Sequence, residues 1–559
     1  MKWIAGDPVD AKLAASLARE LGIEPFLASL LCRRGYRDAA AAQIFLQPKL
    51  KSLGDPFELP GMRAAAERIL AAMDRKERIV LYGDYDVDGV ASLALFTRML
   101  RAFGADPGTF LPQRMDEGYG LGPEGINRCL NTLHPQLLIA LDCGTSSATE
   151  IAALKSGGVD VIVFDHHEIK SGTPDCTLVN PKLGDKFHYL CTAGIVFKAC
   201  HALLKLRPLG GFDLREYLDI VALGTVADIV PLVDENRILV QKGLQQMEKT
   251  RWTGLRALMD VAGVRAPIRP VDVGFRLGPR LNAAGRLGTA EDSLKLLLTE
   301  DASQASILAS GLDLQNRERQ LVEQRTLHAA EKMVAANFVE ARDATIVIGE
   351  SGWHPGVLGI VASRLSKNFH RPTFVIGFDE NGIGKGSGRS IEGFSLVHAL
   401  TQCGAHLEKF GGHEMAAGLT IRQERFPEFQ RAFLDCARAL LSDDDLQPRL
   451  RLDSEVEFSD LDLEFLDQHD LLQPFGIGNP QPMLFSRGVK PLAEPRVLKE
   501  KHLLFSLRQN RGKTSAIYFN GAGTELPRPP WDIAFRVERN EFRDTVSLQV
   551  QIHAIRSSQ

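Results

Sequence analysis

At 559 residues the chain is too long for one hydrophobic core, and a prior of about 150 residues per domain gives about four folding units. Hydrophobic content of 44% and charged content of 24% are ordinary for a globular protein, and no run approaches the ~18 apolar residues needed to cross a bilayer. The net charge of −4 excludes a globally basic nucleic-acid binder, so any phosphate-binding surface has to be local.

The first ten residues lack a signal peptide's apolar stretch and cleavage site, which implies a cytoplasmic protein with no membrane segment. Residues 1–54 read as short helices with alanine-rich stretches and a break at Pro25. From 55 to 235 the pattern is α/β. The runs 79–82, Leu137–Leu141 and 161–164 are short, continuous and apolar, each beside helix-length sequence, as in interior strands of a parallel sheet covered on both faces. Residues 236–340 are largely helical, and Ala302–Asn337, with no proline and one glycine, predicts a long connecting helix. A second α/β unit spans 341–441, with strands at 345–349 and 373–376 and a helix over 357–369 whose Val357, Ile360, Val361 and Leu365 share a face. Beyond the acidic stretch 442–446, residues 446–559 carry spaced strands at 449–458, 490–498, 503–507, 515–519, 531–537 and 546–555, an all-β barrel or sandwich. The eight cysteines, Cys143 and Cys191 among them, form no Cys-x-x-Cys pair and read as packed thiols.

The strongest chemical signal is Gly83-Asp84-Tyr85-Asp86-Val87-Asp88-Gly89, three alternating aspartates directly after a predicted strand. If the strand end stays extended, Asp86 and Asp88 point the same way. Two more runs end alike, 137–141 in Asp142 and 161–164 in Asp165-His166-His167. Ligands of parallel α/β sheets bind outside the carboxyl ends of the strands, so these residues converge on one crevice. Each close carboxylate pair repels by roughly 4 kcal/mol at an effective dielectric of 20. Four together require cations, and hard oxygens with one imidazole suit Mn²⁺ or Mg²⁺, two ions rather than one. An isolated Asp-x-Asp-x-Asp-Gly turn is commonly a solvated loop; three such strand ends in one region are not.

Asp165-His166-His167 with the 83–89 stretch, Asp142 in Leu-Asp-Cys-Gly and Asp228 in the 224–232 segment resemble the motifs of the DHH phosphoesterase superfamily. The resemblance implies that Asp86 and Asp142 hold one metal and Asp88, Asp142, His166 and Asp228 the other. It places Asp84 as a direct or supporting ligand and His167 near the scissile phosphate. Tyr82 stands where many members carry a histidine, which leaves the first metal's shell open. The glycine-rich loops 352–356, 386–390 and 411–418 resemble the accompanying DHHA1 domain. The segments 111–121, 278–286 and 474–480 narrow the likeness to single-strand-specific exonucleases of the superfamily, in which the C-terminal unit is an OB-fold contacting single strands.

That family implies 5′→3′ hydrolysis of single-stranded DNA with two divalent ions, Mn²⁺ or Mg²⁺, in recombination and repair, with single-strand-binding protein and a helicase as collaborators. Arg114, Ser387 and Arg389 would capture the 5′ phosphate, and Arg280 and His413 the nucleotide beside the scissile bond. Asn282, Arg286, His354 and Ser390 complete the nucleic-acid-binding candidates. A superfamily enzyme for short oligonucleotides or cyclic dinucleotides is the alternative. The expected architecture is therefore two α/β domains, DHH (55–235) and DHHA1 (341–441), joined by a helical connector (236–340), with an N-terminal helical segment (1–54) and a C-terminal OB-fold (446–559).

Overall fold

A computed structural model describes residues 1–113, 117, 120–169, 172–287, 289–542 and 545–558. Five parallel strands form the first sheet, in the order Gly108–Phe110, Ile79–Gly83, Leu137–Leu141, Asp160–Phe164, Thr177–Val179. The two edge strands are only three residues long, too short to leave a sequence pattern. Ile79, Leu81, Ile139, Leu141, Ile162 and Phe164 face a core built with helices Val87–Ala102, Thr192–Leu206 and Leu218–Ala227. Val80, Tyr82, Leu138, Ala140, Val161 and Val163 pack on the opposite face. Both faces are covered, which is why the strands read as unbroken apolar runs.

Helix Ala302–Asn337 leaves this domain and packs against helix Pro355–Phe369 of the second. The second sheet runs Lys409–Gly412, Ala416–Arg422, Ile383–Arg389, Thr373–Phe378, Ile346–Ser351, with only the last two parallel. Segments 386–390 and 411–418, expected as loops, thus lie largely in strands. Their glycines reflect crowding: a Cβ on Gly384 or Gly388 would come within 2.6 Å of the Phe378 or Phe374 ring.

The C-terminal domain is a barrel, closed where Leu484–Pro491 pairs with both Trp531–Phe542 and His502–Gln509. Residues 1–54 are not purely helical as expected. Lys2–Ala5 forms a parallel pair with Arg449–Leu452, a partner invisible to local pattern because it lies at the far end of the chain. Arg237 locks three parts together: buried, its guanidinium lies 3.7 Å over the Phe45 ring and donates to the carbonyls of Phe45, Leu471 and Leu472. All eight cysteines are free, most of them buried. Among the described residues no helix is long and apolar enough to cross a membrane.

Candidate metal centre

The backbone ladder of the first sheet continues one residue past each strand. Asp84 N donates to Leu141 O, Asp142 N to Phe164 O and Asp165 N to Val179 O, so the three acidic residues are delivered side by side. The chain then turns sharply. Asp86 caps helix Val87–Ala102, its Oδ1 accepting from Asp88 N and Gly89 N. Gly89 is required there, since a Cβ would fall 2.4 Å from Asp84 O. Asp142 adopts a left-handed backbone (φ 67°), strain of the kind concentrated at working sites.

Among the described residues, ligand atoms gather in three overlapping groups, Asp84 with Asp86 and Asp142, Asp88 with His166 and Asp228, and Asp142 with His166 and His167, the atoms of each lying within 4.8 Å of one another. His166 Nε2 stands 3.4 Å from Asp142 Oδ1 and 3.5 Å from Asp228 Oδ2, so Asp142 borders the second group as well as belonging to the first. Tyr82 is no ligand. It points to the other face of the sheet and donates to Gly120 O, while Asp84 lies with Asp86 and Asp142.

Burial and mutual repulsion raise the carboxyls of Asp88, Asp142 and Asp228. Asp88 is pushed up to about 6 by desolvation and then by Asp86. Asp228 is pushed up to about 9 by desolvation, Asp88 and Asp86, and Asp142 lies well above its ordinary value for the same reasons. Desolvation drives His166 down to about 3, which keeps its imidazole neutral, the form that ligates metals. His166 Nε2 and Asp228 Oδ2 are buried without a hydrogen-bond partner among the described residues. Buried polar atoms left so are rare unless an ion completes them. Separations of 3.4–3.5 Å suit ligands each roughly 2.1 Å from a shared hard cation.

Asp165 stands behind the ligands. Its Oδ1 accepts from the backbone of His166 and His167 and contacts His167 Nδ1 at 2.7 Å, and its Oδ2 accepts from Thr145 N. Burial favours its neutral form, but these bonds outweigh that and hold the carboxyl well below the usual range. Its charge in turn lifts His167 above the ordinary imidazole value against desolvation.

A cavity of about 570 Å³ at the second domain is lined by Gly356, Lys385, Ser387, Arg389 and Lys409 among others, with Arg286 of helix Gly278–Leu287. Arg389 donates to Ser387 Oγ and Gly388 O, with its guanidinium lowered by burial. Arg286, from helix Gly278–Leu287, donates to Gly356 O. Ser387 and Arg389 thus line one cavity, and Arg286, read from sequence as part of a separate basic cluster with Arg276 and Arg280, lines it too, whereas Ser390 turns aside to donate to Phe394 O. His354 caps helix Pro355–Phe369 by accepting from Gly356 N. Arg280 is ion-paired with Asp313 and donates to Arg276 O, while Asn282 sits half-buried on the same helix. Glu168 is held below its ordinary value first by its bond to Lys182, with a smaller contribution from His413 nearby. Arg114 lies outside the described residues.

The chain matches the DHH family, N-terminal domain, over residues 78–225, the DHHA1 domain over 334–439 and the RecJ OB domain over 452–554. It is 37% identical over 562 residues to the single-stranded-DNA-specific exonuclease RecJ of Bacillus subtilis (strain 168), covering 99% of this chain and 70% of that relative. Identity to RecJ of Escherichia coli (strain K12) is 33% over 573 residues, covering 97% of each. The chain belongs to the RecJ family. A crystal structure of RecJ in complex with Mn²⁺ from Thermus thermophilus agrees in fold, with a TM-score of 0.86 at 31% identity, covering all of this chain and 80% of that one.

Structures of RecJ have been solved with Mn²⁺ and with Mg²⁺, and the hard donor set of this RecJ-family centre fits both ions. What sequence reasoning missed is the support. Helix Thr192–Leu206 aims its first amides at Asp88, Thr192 N to Oδ2 at 2.7 Å and Ala193 N to Oδ1 at 2.9 Å, while Thr192 Oγ1 donates to Asp142 Oδ1 at 2.9 Å. A threonine at a helix start is a common cap, so nothing in its local sequence points to the metal site.

Proposed function

We propose that this RecJ-family chain hydrolyses single-stranded DNA from the 5′ end, releasing mononucleotides, in recombination and repair. The observation that carries the reading is the pairing of a carboxylate-rich centre with a basic, hydroxyl-lined cavity on the facing domain, bridged by Arg286. Ser387 and Arg389 bind the terminal 5′ phosphate, which sets polarity, and Arg114 joins them. Arg280, Asn282 and His413 hold the adjacent nucleotide, and His354 orders the loop at the cavity's edge.

Asp142 serves both ion positions, with Asp84 and Asp86 on one side and Asp88, His166 and Asp228 on the other. Mn²⁺ or Mg²⁺, when bound, acidifies the attacking water and offsets charge on the phosphate. His167, its ring oriented by Asp165, carries a proton toward the phosphate or the departing 3′ oxygen. Cleavage on that side of the phosphorus frees a 5′-mononucleotide and leaves a new 5′ phosphate on the strand, the same group the cavity recognises.

The barrel supports strand binding. Lys490 stands opposite Arg508, and Arg508 opposite Lys513, a row of exposed cations across three neighbouring strands. Like charges so placed destabilise a sheet unless an anion bridges them. Single-strand-binding protein and a helicase are the expected collaborators. The test is digestion of 5′- and 3′-labelled single strands with Mg²⁺ and Mn²⁺ titrated. Early release of the 5′ label as a mononucleotide is expected, and early release of the 3′ label, or faster hydrolysis of dinucleotides than of long strands, would overturn the proposal.

A further inference from the structure

Between the barrel and the metal centre runs a helical stretch, 270–287, that opens with Pro270–Asp272, passes through a π-helical turn at Val273–Leu277 and continues as helix Gly278–Leu287. Such turns often mark working positions. Its Phe275 is 79% exposed and its Val271, four residues earlier, 55%. The ring is held out by its neighbours. Val273 and Leu277 are buried, and Arg276 is tied to Asp272 and to the carbonyls of Ala262 and Gly263.

The opposite side of the stretch rests on the elements that carry metal ligands. Gly274 lies against Val226 and Gly278 against Ala227, just before Asp228, and Gly285 lies against the backbone of Tyr85, between Asp84 and Asp86. One end reaches the facing-domain cavity through Arg286. The other reaches a second cavity of about 510 Å³, shared with the barrel and lined by Arg269, Val271, Phe475, Arg536 and Arg539 among others. Two further exposed apolar residues flank the path. Ile229, directly after Asp228, is 67% exposed and takes a left-handed backbone (φ 63°) that a β-branched residue adopts only under strain. Ile477 is 53% exposed and its carbonyl accepts from Leu232 N.

We propose that Phe275 is a stacking platform for a nucleobase of the incoming strand, at the midpoint of a track from the barrel to the metal centre. The inference deepens the functional reading above and rests on it. A flat apolar ring, fixed relative to the metal ligands on a stretch that follows Arg269 and carries Arg286 at its far end, complements an unpaired polynucleotide, which offers apolar base faces on an anionic backbone. The only acid in the run, Asp272, is occupied by Arg276.

The test uses the full chain with saturating Mn²⁺. Steady-state hydrolysis of a 5′-phosphorylated 20-mer and of a 5′-phosphorylated dinucleotide is compared for wild type, Phe275→Ala and Phe275→Trp. Loss of one base–aromatic stack predicts an about tenfold fall in the 20-mer to dinucleotide ratio of kcat/KM for Phe275→Ala, expressed in KM, with Phe275→Trp restoring it. In an Asp142→Ala background, 2-aminopurine moved through positions 2–6 of the strand should show one quenched position that brightens when Phe275 is also alanine. An unchanged ratio, equal losses on both substrates, or no Phe275-dependent quenching would overturn the platform; equal losses would assign the ring to the fold of the centre, and an unchanged ratio would leave the patch to a protein partner. If wild type ignores the 20-mer, the exonuclease reading fails, while the quenching arm still reports on the platform.

Discussion

Thr192→Val isolates the least obvious support of the metal centre. The substitution keeps the side chain's shape and the backbone amide that holds Asp88, and removes only the hydroxyl donating to Asp142 Oδ1 at 2.9 Å. Asp142 is buried among Asp84, Asp86, Asp88 and Asp228, so its anion depends on the donors left to it. A hydrogen bond to a charged group contributes about 1.5–3 kcal/mol, which corresponds to roughly 10–150-fold in an equilibrium constant. Supporting partners of metal ligands typically account for about 10–100-fold in affinity. The half-saturating Mn²⁺ concentration should therefore rise at least about tenfold, with kcat at saturating Mn²⁺ changed only a few-fold, and the deficit should be larger at pH 6.5 than at pH 8.5. Metal titrations by activity and by calorimetry measure this. Identical Mn²⁺ half-saturation in the variant would refute the assignment, as would a kcat loss that excess metal cannot reverse.

Three further outcomes are expected. Arg389→Ala should reduce the preference for a 5′-phosphorylated over a 5′-hydroxyl strand by about tenfold or more, since it removes a charge-assisted contact; competition kinetics between the two ends would show it, and an unaltered preference moves the phosphate elsewhere. Without metal, Asp88 and Asp228 have folded values of about 6 and about 9 against an ordinary 3.8. Groups raised in this way stabilise the fold fully only below the unfolded value, and that contribution is lost as pH climbs through the folded ones. The Tm in EDTA should therefore fall relative to the Tm in Mn²⁺ between about pH 4 and 9, with the upper part of the fall due to Asp228, and a constant difference between the two scans would contradict the picture. Arg237→Met should cost about 2–4 kcal/mol by stranding three buried carbonyls, partly offset by no longer burying a cation; a loss under about 1 kcal/mol in urea unfolding would show that the latch is dispensable.

Local pattern determined much of this protein. Apolar runs on strands covered from both sides, the uninterrupted Ala302–Asn337 helix and the acidic residues closing three strands were all readable, because each depends on neighbours within a few positions. Only the tertiary structure decided which of those residues come close enough to share an ion, Asp84 with Asp86 and Asp142 and Asp88 with His166 and Asp228 among them, and that Tyr82 turns away. The same holds for Thr192, for the Arg280–Asp313 pair and for the Lys2–Ala5 strand paired with Arg449–Leu452. Strand 383–389 went unread as well, because its glycines make room for phenylalanines from a neighbouring strand, and a glycine-rich run looks like a turn until that strand is in place. The physical reason is common to all of them. Periodicity records which face of an element is buried, whereas partners tens or hundreds of residues apart leave no trace until packing closes the distance.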